Sequence, residues 1–180
     1  MKRRYGIRKF SGNQLGSAAV EFALIAPIFF GLMFSILEGG WYFFVNSAVE
    51  QANARAARLI RTGQVQANDI SREDFFDEIC QIVDAFGDCD DKLTVDVSRF
   101  ANFAALSADL TDTVCRDADD DAVDALPFNA GAQREIVRVR VCFLYKPLNP
   151  GIGLNLDPAG DGHRKIISVN IFRNEPYEDS

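Results

Sequence analysis

The chain has 180 residues, 48% of them hydrophobic, and a net charge of −7, which is room for one modest domain plus an anchor. Residues 1–16 carry Lys2, Arg3, Arg4, Arg8 and Lys9 and no acid, so their +5 leaves −12 on the remainder. An outer domain this acidic excludes nucleic acid, and an anionic membrane surface, as its partner.

In chain order, the basic leader (1–16) is followed by an apolar run. From Phe22 to Val45 only Glu38 is charged; these 24 residues make about 36 Å of helix, against about 30 Å of hydrocarbon. The reading is a transmembrane helix over 17–45, because a soluble helix of this length would show a polar face. Positive charge stays in the cytoplasm, so the leader is expected inside and the acidic remainder outside. Trp41, Tyr42, Phe43 and Phe44 sit at the far end, where an aromatic belt meets the outer headgroups. The twin arginine of KRRYGIRKF has poor neighbours for an export signal. The apolar run is too long for a secretory signal. A small-x-small site exists only at Ala52-Asn53-Ala54, beyond the aromatic belt, and no cysteine near the N-terminus offers a lipid anchor.

The leader ends in Gly16, followed by Ser17, three small or β-branched residues, Glu21 and Phe22. A glycine, four residues, then Glu and an aromatic residue resembles the processing site of type IVb prepilins. That resemblance implies cleavage after Gly16 by a prepilin peptidase, with Ser17 as the new N-terminus. A new α-amino group at the edge of the bilayer is costly, and Glu21 offers it, or a neighbouring subunit's amine, an opposite charge. On the residues alone, Glu21 equally reads as a side chain snorkelling from a helix end.

The stretch GSAAVEFALIAPIFFGLMFSILEGGWYFFVNSAVEQANARAARLIRTG, residues 16–63, resembles the N-terminal segment of TadE-like proteins of the tight-adherence pilus system. The matching features are AVEFAL at 19–24, Pro27, Glu38-Gly39 and the Ala/Arg-rich continuation at 48–61. The resemblance implies a pseudopilin-like protein, a membrane-anchored assembly component rather than the main fibre subunit. Its implied partners are other pilin-like subunits and pilus assembly proteins, met through the membrane helix, and the prepilin peptidase. Its implied place is the inner membrane, single-pass, with the N-terminus cytoplasmic and the C-terminal domain periplasmic. Gly40 departs from the pattern and leaves the straightness of the helix open there. Pro27 and Gly31 are residue types that membrane helices use often. Gly31 with Ser35 makes a small-xxx-small step where another helix can approach. Glu38 is expected at the outer interface in an isolated chain, or against a partner helix inside an assembly.

Beyond the membrane, over 46–63, the helical pattern persists. Ala48, Ala52, Ala56 and Leu59 form one stripe with Val49, Ala57 and Ile60 beside it, and Thr62-Gly63 reads as the stop. Residues 64–180 read as a periplasmic α+β domain, so the whole resembles a pilin: one long N-terminal helix, then a small antiparallel sheet with one additional helix. That helix opens with a capping box, Ser71 with Asp74, and continues through Phe75, Ile79, Ile82, Val83 and Phe86. KLTVDVSRF puts Leu93, Val95 and Val97 on one face. EIVRVRVCFLYKP puts Val137, Val139, Val141, Phe143 and Tyr145 on one face and Arg138 and Arg140 on the other. KIISVNIFR gives Ile167, Val169 and Ile171. Three such strands predict a sheet packed on one face. The long acidic stretch 101–133 reads as an inserted loop with a short helix.

Chemistry-bearing sets are thin. His163 is the single histidine and makes neither a triad nor a metal site. Asp117, Asp119 and Asp121 alternate as in a calcium loop, but Ala122 and Phe128 stand where such a loop needs glycine and glutamate, so a solvated acidic loop is the better reading. Gly151-Ile152-Gly153 after Pro150 reads as a turn. The expectation is no enzyme, no cofactor, no metal and no small-molecule substrate. Cys80, Cys89, Cys115 and Cys142 all lie in the outer region, and an even number in an exported domain favours disulfides. Of three connectivities, one short loop between Cys80 and Cys89 favours that pair and leaves Cys115 with Cys142. Two functional classes follow: a pseudopilin-like component of a tight-adherence pilus or related secretion apparatus, and a single-pass anchored periplasmic binding or sensory domain.

Overall fold

A computed structural model describes residues 16–117, 120–148 and 162–177. Residues 1–15 of the basic leader, Asp119 and the Gly151-Ile152-Gly153 turn lie outside the described residues. Helix α1 spans Ser17–Arg61 without interruption, through Pro27 and through Gly39-Gly40. Its first half has no polar face, and none of its most apolar window is covered by the rest of the chain. In its second half Val45, Val49, Ala52, Asn53, Ala56 and Ile60 are buried, a stripe at helical spacing, while Ala48 and Leu59 are only half-buried beside it. Arg58 and Arg61 in the last turn suit the negative end of the helix dipole. Gly63 ends the helix with φ 77°, a left-handed conformation glycine adopts without a Cβ penalty, and the Tyr177 ring packs over it.

A short helix α2 (Gln64–Ala67) leads to α3 (Arg72–Val83), which packs alongside α1. The Ser71 hydroxyl caps α3, accepting from the Asp74 N–H at 3.1 Å and donating to the Asp74 carboxylate at 2.9 Å. Aspartate is one methylene shorter than the glutamate of a full capping box, and its carboxylate meets the serine hydroxyl. Phe75, Ile79 and Val83 bury the inner face of α3. A 3₁₀ turn at Asp84–Phe86 and the short helix α4 (Cys89–Lys92) follow, and the Cys80–Cys89 disulfide joins α3 to α4.

Strands β1 (Leu93–Phe100), β2 (Ile136–Tyr145) and β3 (Arg164–Arg173) form an antiparallel sheet in the order β1-β2-β3. The registers Val97↔Val139 and Val141↔Ser168 fix which residues share a face. Val137, Val139, Val141, Phe143 and Tyr145 face α1 and α3 and are buried with Leu93 and Val97.

Two sequence expectations about the sheet are corrected. Ile167, Val169 and Ile171 do not face the core. They are 47%, 47% and 49% exposed, and Ile166, Ser168 and Phe172 turn toward α1 instead. Strand β3 is apolar on both faces, so alternation alone does not choose between them. What decides is the helix, whose buried Asn53 donates from Nδ2 to Ser168 Oγ at 2.9 Å. The opposite face of β2, where Arg138 and Arg140 lie, is also covered, and all ten β2 residues are buried. The middle of the acidic stretch folds back over it as a strap.

Within that stretch α5 (Phe103–Ala108) and α6 (Asp120–Asp124) flank the strap. Asp109 Oδ2 accepts from Arg138 Nη2 at 2.8 Å, Thr111 O from Arg140 Nη1 at 2.7 Å, and Val114 O from the Thr94 hydroxyl at 2.7 Å. The Thr111 hydroxyl and N–H, with Arg138, hold the Asp109 carboxyl down to about 2. Cys115–Cys142 locks the strap to β2, over a small apolar cluster with Leu144. The solvated-loop reading of 117–128 is corrected in part as well. Val123 and Leu126 are buried, Arg72 donates to their carbonyl oxygens, and Phe128 packs on Phe75 with ring centroids 5.4 Å apart. Residues 127–129 also pair with the edge of β1 through Val97.

Because the second disulfide closes a separation of 27 residues, replacing Cys115 and Cys142 together by serine should lower stability by about 2–4 kcal/mol. Urea unfolding of the oxidised wild type and the double variant checks this.

Candidate functional site

The sequence-derived site residues fall into three places along α1. At its start, Gly16 is the N-cap with φ −100°, and a Cβ there would meet nothing within 4 Å. Packing therefore places no demand for glycine at this position. Ser17 opens the helix and Phe22 is 66% exposed. Glu21, four residues beyond Ser17, stands about 6 Å further along the helix axis. That is within reach of an α-amino group created at Ser17 or of a neighbour's.

In the middle, Pro27, Gly31 and Ser35 belong to the uncovered apolar half. A Cβ at Gly31 would also meet nothing within 4 Å, so this side is open to another helix. The Ser35 hydroxyl donates to Gly31 O at 2.7 Å, which satisfies a polar group that hydrocarbon could not.

Further along α1, the structure shows a contact the sequence reading did not include. Glu38 meets its own chain instead of presenting its carboxylate on the helix surface. It is 3% exposed and turned into the chain's own head domain. Its carboxylate accepts from the Tyr145 hydroxyl at 2.5 Å and from the Leu148 N–H at 3.1 Å. Burial, then the hydrogen bond to Glu38 and its negative charge, push the Tyr145 hydroxyl well above its ordinary range, so it remains a donor. One helical turn further on, Tyr42 meets the Tyr145 ring edge-to-face at 5.4 Å, with the Arg164 guanidinium 5.5 Å from the Tyr42 centroid. On the other side Phe86 sits against Trp41 and Phe44, at 5.8 and 5.6 Å. This clamp holds the helix across Gly39-Gly40, the place where the second glycine would otherwise loosen it.

Sequence reasoning missed a second buried polar set. Asp96, on the covered face of the sheet, forms an ion pair with Arg140, whose Nε donates to Asp96 Oδ2 at 2.7 Å, and it accepts from Ser98 Oγ at 2.7 Å. The signal was present in the alternation, which puts Asp96 and Arg140 on faces of neighbouring strands, but the strap that excludes water is not a local feature. Cys80, Asp84 and Cys89 lie within metal-binding distance of one another among the described residues. Both sulfurs, however, are joined to each other and supply no thiolate. A cleft of about 370 Å³ beside α3 is lined by Arg72, Glu73, Asp77, Asp90 and Arg116 among others, and the Arg72 guanidinium is already bound to backbone carbonyls.

Residues 16–58 match the family described as TadE-like protein, in agreement with the resemblance carried by AVEFAL and Glu38-Gly39. The match begins at Gly16 and covers nearly all of α1 but none of the sheet. No curated protein and no solved structure matches the chain.

Proposed function

We propose that the chain is a pseudopilin-like, membrane-anchored assembly component of a tight-adherence pilus or a related secretion apparatus. The match of residues 16–58 supports a component associated with such a pilus. The observation that carries the reading is the coincidence of that match with α1, whose apolar half is left uncovered by its own head. A helix of this kind has two uses at once. It anchors the chain in the bilayer, and it presents Gly31, Ser35 and the surrounding apolar surface to the helices of other pilin-like subunits.

On this reading a prepilin peptidase cleaves after Gly16 and frees the Ser17 amine, and Glu21 receives that amine or a neighbour's. The head acts by its surface. The anchor is single-pass in the inner membrane, with the leader cytoplasmic and residues 64–180 periplasmic. Two features support this orientation: the +5 leader set against −12 beyond it, and two disulfides in the head.

Protease treatment of spheroplasts tests the orientation. The head should be digested from outside while the leader of an uncleaved Gly16→Lys variant stays protected. A head protected in intact spheroplasts would overturn the topology and, with it, this reading.

A further inference from the structure

The first residue of α1 that the head buries is Glu38. Before it, Ser17–Leu37 is 21 residues long, about 31 Å of helix, which by itself fills a hydrocarbon core of about 30 Å. After it, the head grips α1 from two sides, with Tyr145, Leu148 and Arg164 at the ends of β2 and β3 and Phe86 on the 3₁₀ turn. If the hydrocarbon continued to Val45, it would enclose the Glu38 carboxylate and the Arg164 guanidinium together with this end of the head, at a cost membranes exact for charge. Around the same turn several large apolar side chains remain exposed: Phe43 at 71%, Phe44 at 58%, Trp41 at 38% and, from the head itself, Leu148 at 69%. An exposed apolar rim continuous with a membrane span calls for an amphipathic surround, and the headgroup layer provides one to aromatic side chains.

We propose that the head is seated directly on the bilayer leaflet on its own side, with the hydrocarbon ending at Leu37. Trp41, Phe43, Phe44 and Leu148 form a collar in the headgroup layer, and the Glu38–Tyr145 latch fixes the head upon it. The partner of this surface is the lipid interface itself. The inference rests on the anchor reading above and sharpens it: the transmembrane part is shorter than the apolar run, and the head does not swing free on a helical stalk.

Trp41 is the chain's single tryptophan, so it can be removed and a reporter placed on the head. The full chain carrying Trp41→Phe and Leu148→Trp is reconstituted into phosphatidylcholine vesicles with nitroxide quenchers either on the headgroup or near the end of the acyl chain. The expected result is strong quenching by the headgroup label, weak quenching by the deep label, and poor access for aqueous iodide. Adding Glu38→Ala should leave the protein floating with the vesicles but reduce headgroup quenching several-fold and open the reporter to iodide. A reporter as open to iodide as a free tryptophan in the otherwise unaltered protein would overturn the seating. Stronger quenching by the deep label would overturn the Leu37 boundary. Unchanged quenching after Glu38→Ala would overturn the latch. Failure of the protein to float with vesicles would instead overturn the anchor reading itself, so the two failures are distinguishable.

Discussion

Arg140→Met should remove a large part of the head's stability. Arg140 and Asp96 form an ion pair whose side chains are 9% and 4% exposed. Removing one charge leaves the other buried without compensation, which costs about 3–5 kcal/mol. A small domain has only about 5–15 kcal/mol in total. The substitution also releases Thr111 O, so the strap loses one of the bonds that hold it to β2. The paired variant Asp96→Leu with Arg140→Met should recover most of the loss, because a buried ion pair replaced on both sides no longer carries its desolvation penalty. Urea unfolding of the full chain in detergent, followed by circular dichroism, checks both. Equal loss in the single and double variants would mean that Arg140 acts through the strap and not through Asp96.

Two substitutions at the start of α1 should abolish pilus function by different routes. Glu21→Ala makes the span more apolar, so insertion should be unimpaired, and cleavage after Gly16 should survive. Assembly should fail, because the freed amine of Ser17 loses its counter-charge at the edge of the bilayer, where low dielectric makes that pairing matter. Gly16→Lys should block cleavage. Since a Cβ at Gly16 meets nothing within 4 Å among the described residues and the position stands at the helix end, the fold should tolerate the change, and any loss then reports on processing. Adherence output and mature mass, measured together, separate the two: one variant cleaved and inactive, the other uncleaved and inactive. A Glu21→Ala protein that is cleaved and fully active would reduce Glu21 to a snorkelling helix-end residue.

The parts of the fold that were legible in the sequence are those set by local pattern. The apolar run, the stripe from Val49 to Ile60, the Ser71 cap and the alternation in β1 and β2 each depend on residues within a few positions of one another. The pairing of Cys80 with Cys89 is of the same kind, since one short loop separates them, and the structure joins these two and the remaining pair. What was not legible depends on distant partners. Glu38 looked like a membrane residue because the 21 residues before it are uncharged apart from Glu21, yet its hydrogen-bond partner Tyr145 is 107 residues away. Arg138 and Arg140 looked solvent-facing because nothing local shows that residues 109–115 fold back over them. The core face of β3 was inverted because Ile166 and Phe172 on one side compete with Ile167, Val169 and Ile171 on the other. A single buried Asn53 on α1 meets Ser168 on the side that packs. The proposed processing site at the start of α1 is of another kind: a peptidase would read a linear stretch, so Gly16, Ser17, Glu21 and Phe22 need no fold to stand together, and the fold does not test them.

The measurement that tests the account most directly is the intact mass of the chain extracted from membranes of cells with and without the matching prepilin peptidase. The account predicts a chain beginning at Ser17 when the peptidase is present and the full chain when it is absent. A full-length chain under both conditions, or one beginning at Arg55 after the Ala52-Asn53-Ala54 stretch, would contradict it.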